Sequence, residues 1–290
     1  MYDSLFLTGN GTNIFTTLGF LSLIEKKIQD VRYWNITGNV SLIIFLKIVG
    51  YNYGQIFEIL EKFKLTVDTI NCSSLIPEKQ EKKIEYVQEW LSQALQNSEF
   101  FSKDIRLSEI YKKTNIFPCF ILWSRTNQKI VNINPDTCPS FKLVDCVMAS
   151  LCFIGLYKTY KMMGEEFSNI SSINCYPMEY AKLGDESLFI GTISETLTSK
   201  KDFLGPLAST EEEIIRQFGE REKVEIERLS KEKKDLEFVK IFSSYRRGKI
   251  SREEKLTLFK SGKKQGKAFL NKQDTELEKK NFVTTIEGQP

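Results

Sequence analysis

Three short stretches carry the residue types from which chemistry could be built. The first is Thr8-Gly9-Asn10-Gly11-Thr12, which follows the apolar run Leu5 to Leu7 and precedes an amphipathic segment holding Phe15, Leu18, Phe20, Leu21, Leu23 and Ile24. Glycines between a strand and a helix free the backbone to adopt unusual φ values. They leave N–H groups beside a helix N-terminus, where an oxyanion or phosphate is well held. Taken alone, Gly-Asn-Gly is also ordinary turn chemistry. The second stretch is Thr37-Gly38-Asn39, between a short strand (Tyr33, Trp34, Ile36) and the apolar helical run Val40 to Val49. A strand-to-helix turn of this kind is where a nucleophile elbow sits, with Ser at the strained position in G-x-S-x-G enzymes. That position is Gly38 here. The third is Ser41, the nearest hydroxyl, three residues along on the first helical turn.

Composition narrows the chemistry. The chain has 290 residues, 41% of them hydrophobic, enough for one substantial core with chain left over. The sequence contains no His, which excludes Ser-His-Asp and Cys-His catalysis and every His-based metal site. Its formal net charge of +3 is too small to argue for nucleic acid. The six cysteines (Cys72, Cys119, Cys138, Cys146, Cys152, Cys175) lie in apolar surroundings with no C-x-x-C pair. They read as reduced core cysteines of an intracellular protein rather than a disulfide set or zinc site. No metal and no cofactor is implied. The first strand begins directly after Met1-Tyr2-Asp3, without the basic and apolar regions of a secretory signal. The longest apolar run, Val40 to Val49, is too short to span a bilayer and holds Lys47, so it reads as a buried helix. A cytoplasmic location follows as the expectation.

The elements that must position these residues alternate between strand and helix through the first half, which predicts a mostly parallel sheet with helices on both faces. After the break Gly50-Tyr51-Asn52-Tyr53-Gly54, Gln55 to Lys64 has Ile56, Ile59, Leu60 and Phe63 at helical spacing, and Glu81 to Leu95 does the same with Ile84, Val87, Leu91 and Leu95. Phe117 to Trp123 reads as a strand, Arg125 to Gln128 as a turn and Lys129 to Ile133 as its partner. Lys142 to Gly155 reads as a helix, with Asp145 a solvated or capping carboxylate.

In order and spacing these blocks resemble the patatin-like phospholipases. That family opens with a strand and S-G-G-G-x-[KR]-G, then L-G-x-L; here Thr8-Gly9-Asn10-Gly11-Thr12-Asn13-Ile14 and Leu18-Gly19-Phe20-Leu21 stand in register, with Asn13 at the basic position. The family elbow G-T-S-A-G-A-L is matched by Ile36-Thr37-Gly38-Asn39-Val40-Ser41-Leu42. Leu107-Ser108-Glu109-Ile110-Tyr111 with Thr114 is similar to a further family helix, and Ala149 and Ser150 to another. The family's second catalytic motif, D-G-G/A, supplies the Asp that acts as base. The matching stretch, Phe167 to Pro177, has Asn169 at the Asp position, and no Asp occurs between Asp145 and Asp185. Asp185 falls in a helix-to-strand turn where the family's Asp is structural. The family works with a Ser-Asp dyad and no His, so the lack of His is compatible with it.

The resemblance covers roughly Ser4 to Ser194 and implies a three-layer α/β/α patatin-like sandwich over residues 1–202. Residues 203–290 are expected to form a charged, mainly helical or disordered C-terminal extension. Glu211 to Phe242 is charge-dense with sparse apolar residues, and from Lys240 to Lys267 the balance is basic. A solvated helix and tail is the simpler reading of that stretch; contact with anionic lipid or nucleic acid through Arg246, Arg247, Lys249, Lys263 and Lys264 is the functional one.

Three functions compete. With Gly38 and Asn169 at the dyad positions, the leading expectation is an inactive pseudoenzyme. It would bind a lipid or fatty acyl group beside the oxyanion-hole-like Gly9, Asn10, Gly11 and Thr12, or act as an interaction scaffold. The second is an active lipid acyl hydrolase that uses Ser41 as a relocated nucleophile. The third is a tail-driven binder of anionic membrane or nucleic acid. Lys, Ile, Asn and Phe are frequent, as in an AT-rich genome. Degenerate patatins of this type resemble those of large DNA viruses, which would place the protein in a host cell's cytoplasm.

Overall fold

In a computed structural model, residues 2–9, 11–63, 77–98, 101–152, 159–171, 173–196, 206–233, 236–245 and 250–287 are described. The first strand, β1 (Ser4–Gly9), is buried at every position. Such a strand reads as a continuous apolar run because both faces of its sheet are covered. It lies at the centre of one eight-stranded sheet, parallel to β2 (Tyr33–Gly38) on one side and to β7 (Ser187–Thr196) on the other. Beyond β2 the sheet continues with β3 (Phe117–Ser124), which is parallel to β2 and forms a hairpin with β4 (Lys129–Ile133). Past the end of the β2 pairing the same edge of β3 takes the antiparallel β6 (Glu165–Asn169), and β5 (Tyr160–Met162) pairs with β6. Beyond β7 the sheet ends with β8 (Glu237–Tyr245), parallel to β7.

Two cores sandwich this sheet. Leu5, Leu7, Trp34, Ile36, Phe120 and Leu122 face the larger one. It is completed by α1 (Asn13–Ile28), α2 (Ser41–Val49), α3 (Tyr53–Lys62), α4 (Pro77–Gln96), α5 (Leu107–Thr114) and α6 (Leu143–Leu151). Phe6, Ile121, Phe189 and Ile193 point the opposite way, onto Tyr176, Met178 and the helix α7 (Pro206–Glu232) through Ile226 and Leu229. The result is three layers. The connection from β1 leads one way along the sheet and that from β7 the other, so right-handed crossovers put α1 and α7 on opposite faces. The direction reverses between β1 and β7, and sheets of this kind bind ligands outside the C-terminal ends of their strands at such a point.

Helix boundaries follow local chemistry. Gly50, at φ +108°, ends α2, its N–H bonding the carbonyls of Leu46 and Lys47. Asn52 and Gln55 form a reciprocal capping box on α3. The last helix, α8 (Arg252–Glu287), lies on α1 at backbone contact distance. A Cβ at Gly19 would fall 2.0 Å from the Phe259 carbonyl oxygen, and one at Gly262 would fall 1.9 Å from that of Thr16. Phe259 reaches on to Phe57, with ring centroids 4.7 Å apart.

Four features differ from the sequence reading. Glu211 to Phe242 was expected as one charged helical segment, but α7 ends at Glu232 and residues 237–245 are a strand. Val239, Ile241 and Ser243 are buried at every second position, the period of a strand, although Lys240 and the charged neighbours dilute the apolar signal. The sheet and the larger core therefore extend past residue 202, through β8 and through Leu258 and Phe259 of α8. The helix expected to run to Gly155 ends at Leu151, and residues 153–158 lie outside the described residues, as do Arg246, Arg247 and Lys249. Asp145 is not simply solvated, because its Oδ1 accepts a hydrogen bond from the Tyr160 hydroxyl at 2.8 Å. Cys119, Cys146, Cys152 and Cys175 are buried and free, Cys138 is free and half-buried, and Cys72 lies outside the described residues.

Candidate elbow and glycine-loop site

β1 and β2 end side by side, with Gly9 opposite Gly38. Gly38 has φ +74° and Gly11 φ +55°, both in the left-handed region that glycine enters without strain. The positive φ at Gly38 is the sharp strand-to-helix turn of an elbow, and it falls where the sequence put the elbow. Close approach matters as well: a Cβ on Gly9 would stand 2.8 Å from Val40 Cγ1. Asn39 joins the two loops. Its backbone N–H donates to the Gly9 carbonyl at 3.0 Å, and its Nδ2 donates to the Gly11 carbonyl at 2.6 Å. Beneath the loops, Thr192 Oγ1 donates to the Thr8 carbonyl at 3.1 Å and lies 3.1 Å from Thr17 Oγ1, which ties β1, β7 and α1 together.

Two helices start at this edge of the sheet, and neither has a side-chain cap. Thr12 is the N-cap of α1 and Val40 that of α2, each without a capping hydrogen bond from its side chain. Ser41 is the first residue of α2, fully buried. The hydroxyls of Thr12, Thr37 and Ser41 are buried with no hydrogen-bond partner among the described residues. Thr37 belongs to the other sheet face, by alternation from Ile36. Asn10 lies outside the described residues.

Asn169 ends β6. Leu122 of β3 is opposite Asn169, and Ile36 of β2 is opposite Phe120. Val131 of β4 also stands opposite Leu122, so β2 and β6 occupy the same edge of β3 in succession, running toward each other and ending at Gly38 and Asn169. Asn169 Oδ1 accepts from the Ser171 N–H at 2.9 Å and the Ser171 hydroxyl at 2.6 Å, closing a tight turn. An amide does not take up a proton near neutral pH, so this side chain cannot act as a general base. Asp185 lies at the far end of β1, where its N–H donates to the Asp3 carboxylate at 2.8 Å. Among the described residues no group of three or more His, Cys, Asp or Glu side chains comes together that could hold a metal ion. No described helix is long and apolar enough to cross a membrane.

The basic residues named from the sequence lie away from this edge. Lys263 and Lys264 are exposed on α8, on the side turned from α1, with Lys260 and Lys267 one turn before and after. The sequence reading missed Asn39 as the link between the loops; an Asn beside a turn glycine was the only signal for it. It also missed that the Thr12 and Ser41 hydroxyls go unpartnered, which depends on tertiary packing and leaves no local signature.

No protein-family model matches the chain, and no curated protein sequence does. Solved structures do. VipD from Legionella pneumophila matches with TM-score 0.54 at 13% identity, over 93% of this chain and 67% of that one. The type III effector protein ExoU matches with TM-score 0.51 at 10% identity, over 93% of this chain and 53% of its own length, so the present chain spans about half of it. The chain has the mixed α/β architecture of these patatin-like folds, with a central sheet between helical layers.

Proposed function

We propose that the chain is a patatin-like phospholipase-family protein whose elbow no longer turns over substrate, and that it binds a lipid or acyl group at the edge formed by Gly9, Gly11, Thr12 and Gly38. One observation carries this reading. The strand-to-helix turn at Gly38 has φ +74°, as an elbow does, while neither Gly38 nor Asn169, which ends β6 on the same edge of β3, brings a hydroxyl nucleophile or a carboxylate base. Acyl transfer needs both, together with donors for the oxyanion. Only the donors are supported here. The test is labelling by a fluorophosphonate probe alongside hydrolysis of a fluorogenic short-chain ester and a phospholipid. Wild-type protein should stay unlabelled and silent; turnover that disappears with one serine substitution would overturn the proposal.

Two other readings have an observation in their favour. Ser41 stands three residues from the elbow with an unpartnered hydroxyl, as a relocated nucleophile would. Against it, Ser41 is fully buried and no described base bonds to it. Lys260, Lys263, Lys264 and Lys267 share one exposed face of α8, as a binder of anionic membrane or nucleic acid would present them. Salt-sensitive binding to anionic vesicles that is lost when these four are changed to Gln would support that role.

A further inference from the structure

Four buried hydroxyls have no hydrogen-bond partner among the described residues, those of Thr12, Thr37, Ser41 and Ser168, and Thr12 and Ser41 are the two that stand at helix starts. Thr12 is 1% exposed and Ser41 0%, and neither hydroxyl has a hydrogen-bond partner among the described residues. A buried hydroxyl without a partner is costly, because it has given up water for nothing. The two do not sit at random. Each occupies the start of a helix whose first turn receives no side-chain cap, Thr12 on α1 and Ser41 on α2. Hydroxyls at these positions lie beside the open amides of the first turn. Asn39 brings the two helix starts to one place by bonding the carbonyls of Gly9 and Gly11. The adjacent Gly9 and Gly38 keep side chains out of the join.

We infer that Thr12 and Ser41, with the N-termini of α1 and α2, form a binding site for a compact oxyanion, a carboxylate or phosphate group. Two helix dipoles and two hydroxyl donors converge on negative charge there, and no described carboxylate bonds to either hydroxyl. A neutral ester lacks the charge for which these donors are arranged. The ligand is therefore a charged head group rather than a substrate bond. This inference rests on the reading of the elbow as non-catalytic and specifies what it holds. The same anion chemistry belongs to the head of a single-chain amphiphile and to a free anion.

Isothermal titration of the full chain with sodium laurate below its micelle concentration, with inorganic phosphate and with neutral methyl laurate separates these. Binding of laurate alone identifies an amphiphile head group, and binding of phosphate identifies a free-anion site; both support the proposal. Binding of methyl laurate as tight as that of laurate overturns it, as does no binding of either anion, which would mean that water alone serves these hydroxyls. Ser41→Ala should weaken anion binding tenfold or more, the effect of losing a hydrogen bond to a charged group. It should also leave the unliganded melting temperature unchanged or higher, since the hydroxyl has no partner to lose. A lower melting temperature with unchanged anion affinity would mark Ser41 as merely structural and overturn its role. Thr12→Val provides the same readouts should Ser41→Ala fold poorly. Ester hydrolysis followed in the same samples keeps the two proposals apart. Turnover by wild type defeats the inactive reading, whereas silence without anion binding defeats only this inference.

Discussion

Gly38 and Asn169 end two strands that run toward each other along one edge of β3, β2 pairing with it up to Phe120 and β6 from Leu122, with β4 along the other edge. On the proposed reading, supplying a serine and an aspartate by Gly38→Ser with Asn169→Asp should create labelling by a fluorophosphonate probe where wild type shows none. Asp at 169 can accept the two bonds from Ser171 that Asn169 accepts now. Ser at 38 must adopt φ near +74°, at a cost of about 1–3 kcal/mol. Each single variant should remain unlabelled. Labelling of either one would show that the pair is not the unit of chemistry.

Stability should be insensitive to pH through neutrality and fall on the alkaline side. The chain has no His, the side chain that ordinarily titrates between pH 5 and 8. Burial pushes the thiols of Cys119 and Cys152 up to about 12 from an ordinary 9.0. Burial also holds the Tyr53 and Tyr176 phenols above their ordinary value. Raised folded-state values mean that the folded chain keeps protons the unfolded chain has released. Their contribution is complete below pH 9 and is lost as pH climbs from about 9 toward 12. Denaturant midpoints at pH 6, 7.5, 9 and 10.5 check this. A midpoint unchanged at pH 10.5 would contradict the burial of these groups.

The contact between α1 and α8 should tolerate no side chain at its glycines. The atoms that a Cβ at Gly19 or Gly262 would meet are backbone, so no rotamer change relieves the clash. Gly19→Ala or Gly262→Ala should cost about 1–3 kcal/mol, lowering the melting temperature by roughly 2–12 °C. Lys264→Ala, on the exposed side of the same helix, should change it by less than about 1 °C.

A chain ending at residue 202 should fail to fold. Such a truncation removes β8 from the edge of β7, and with α8 it removes Phe259 from against Phe57 and the cover over Gly19. It also removes the Glu237 and Gln273 side chains that bond the Tyr2 hydroxyl. Expression of residues 1–202 beside the full chain, followed by amide dispersion or near-ultraviolet dichroism, is the check. A cooperative melt from the short chain would show that residues 203–290 are an appendage.

The strand–turn–helix units from Ser4 to Val49 were legible in the sequence because glycines and apolar runs mark both period changes locally. Asn169 was legible only through family spacing, since an Asn before Ile-Ser-Ser has no signature of its own. β8 was not legible. Its alternation of Val239, Ile241 and Ser243 is interrupted by Lys240, and it follows so charged a helix that one long helix was the simpler pattern. The role of Gly262 in α8 has no signal in the sequence, because only the tertiary partner reveals that it admits the α1 backbone. At the site, residue types and turn geometry were readable. Which hydroxyls would go without partners was not, since that is decided by neighbours far away in sequence.

The central position of β1 has a consequence for how the chain is made. One edge of β1 is satisfied by β2 within the first 38 residues, but the other waits for β7, and the outer face of α1 waits for α8. During synthesis the first strand and first helix must therefore remain partly uncovered until β7 and then α8 have emerged. Pairings this distant in sequence make for slow folding and for exposed intermediates. The nascent amino-terminal half is thus the part of this protein with most need of a chaperone, and its release from one would be timed by the arrival of the last helix.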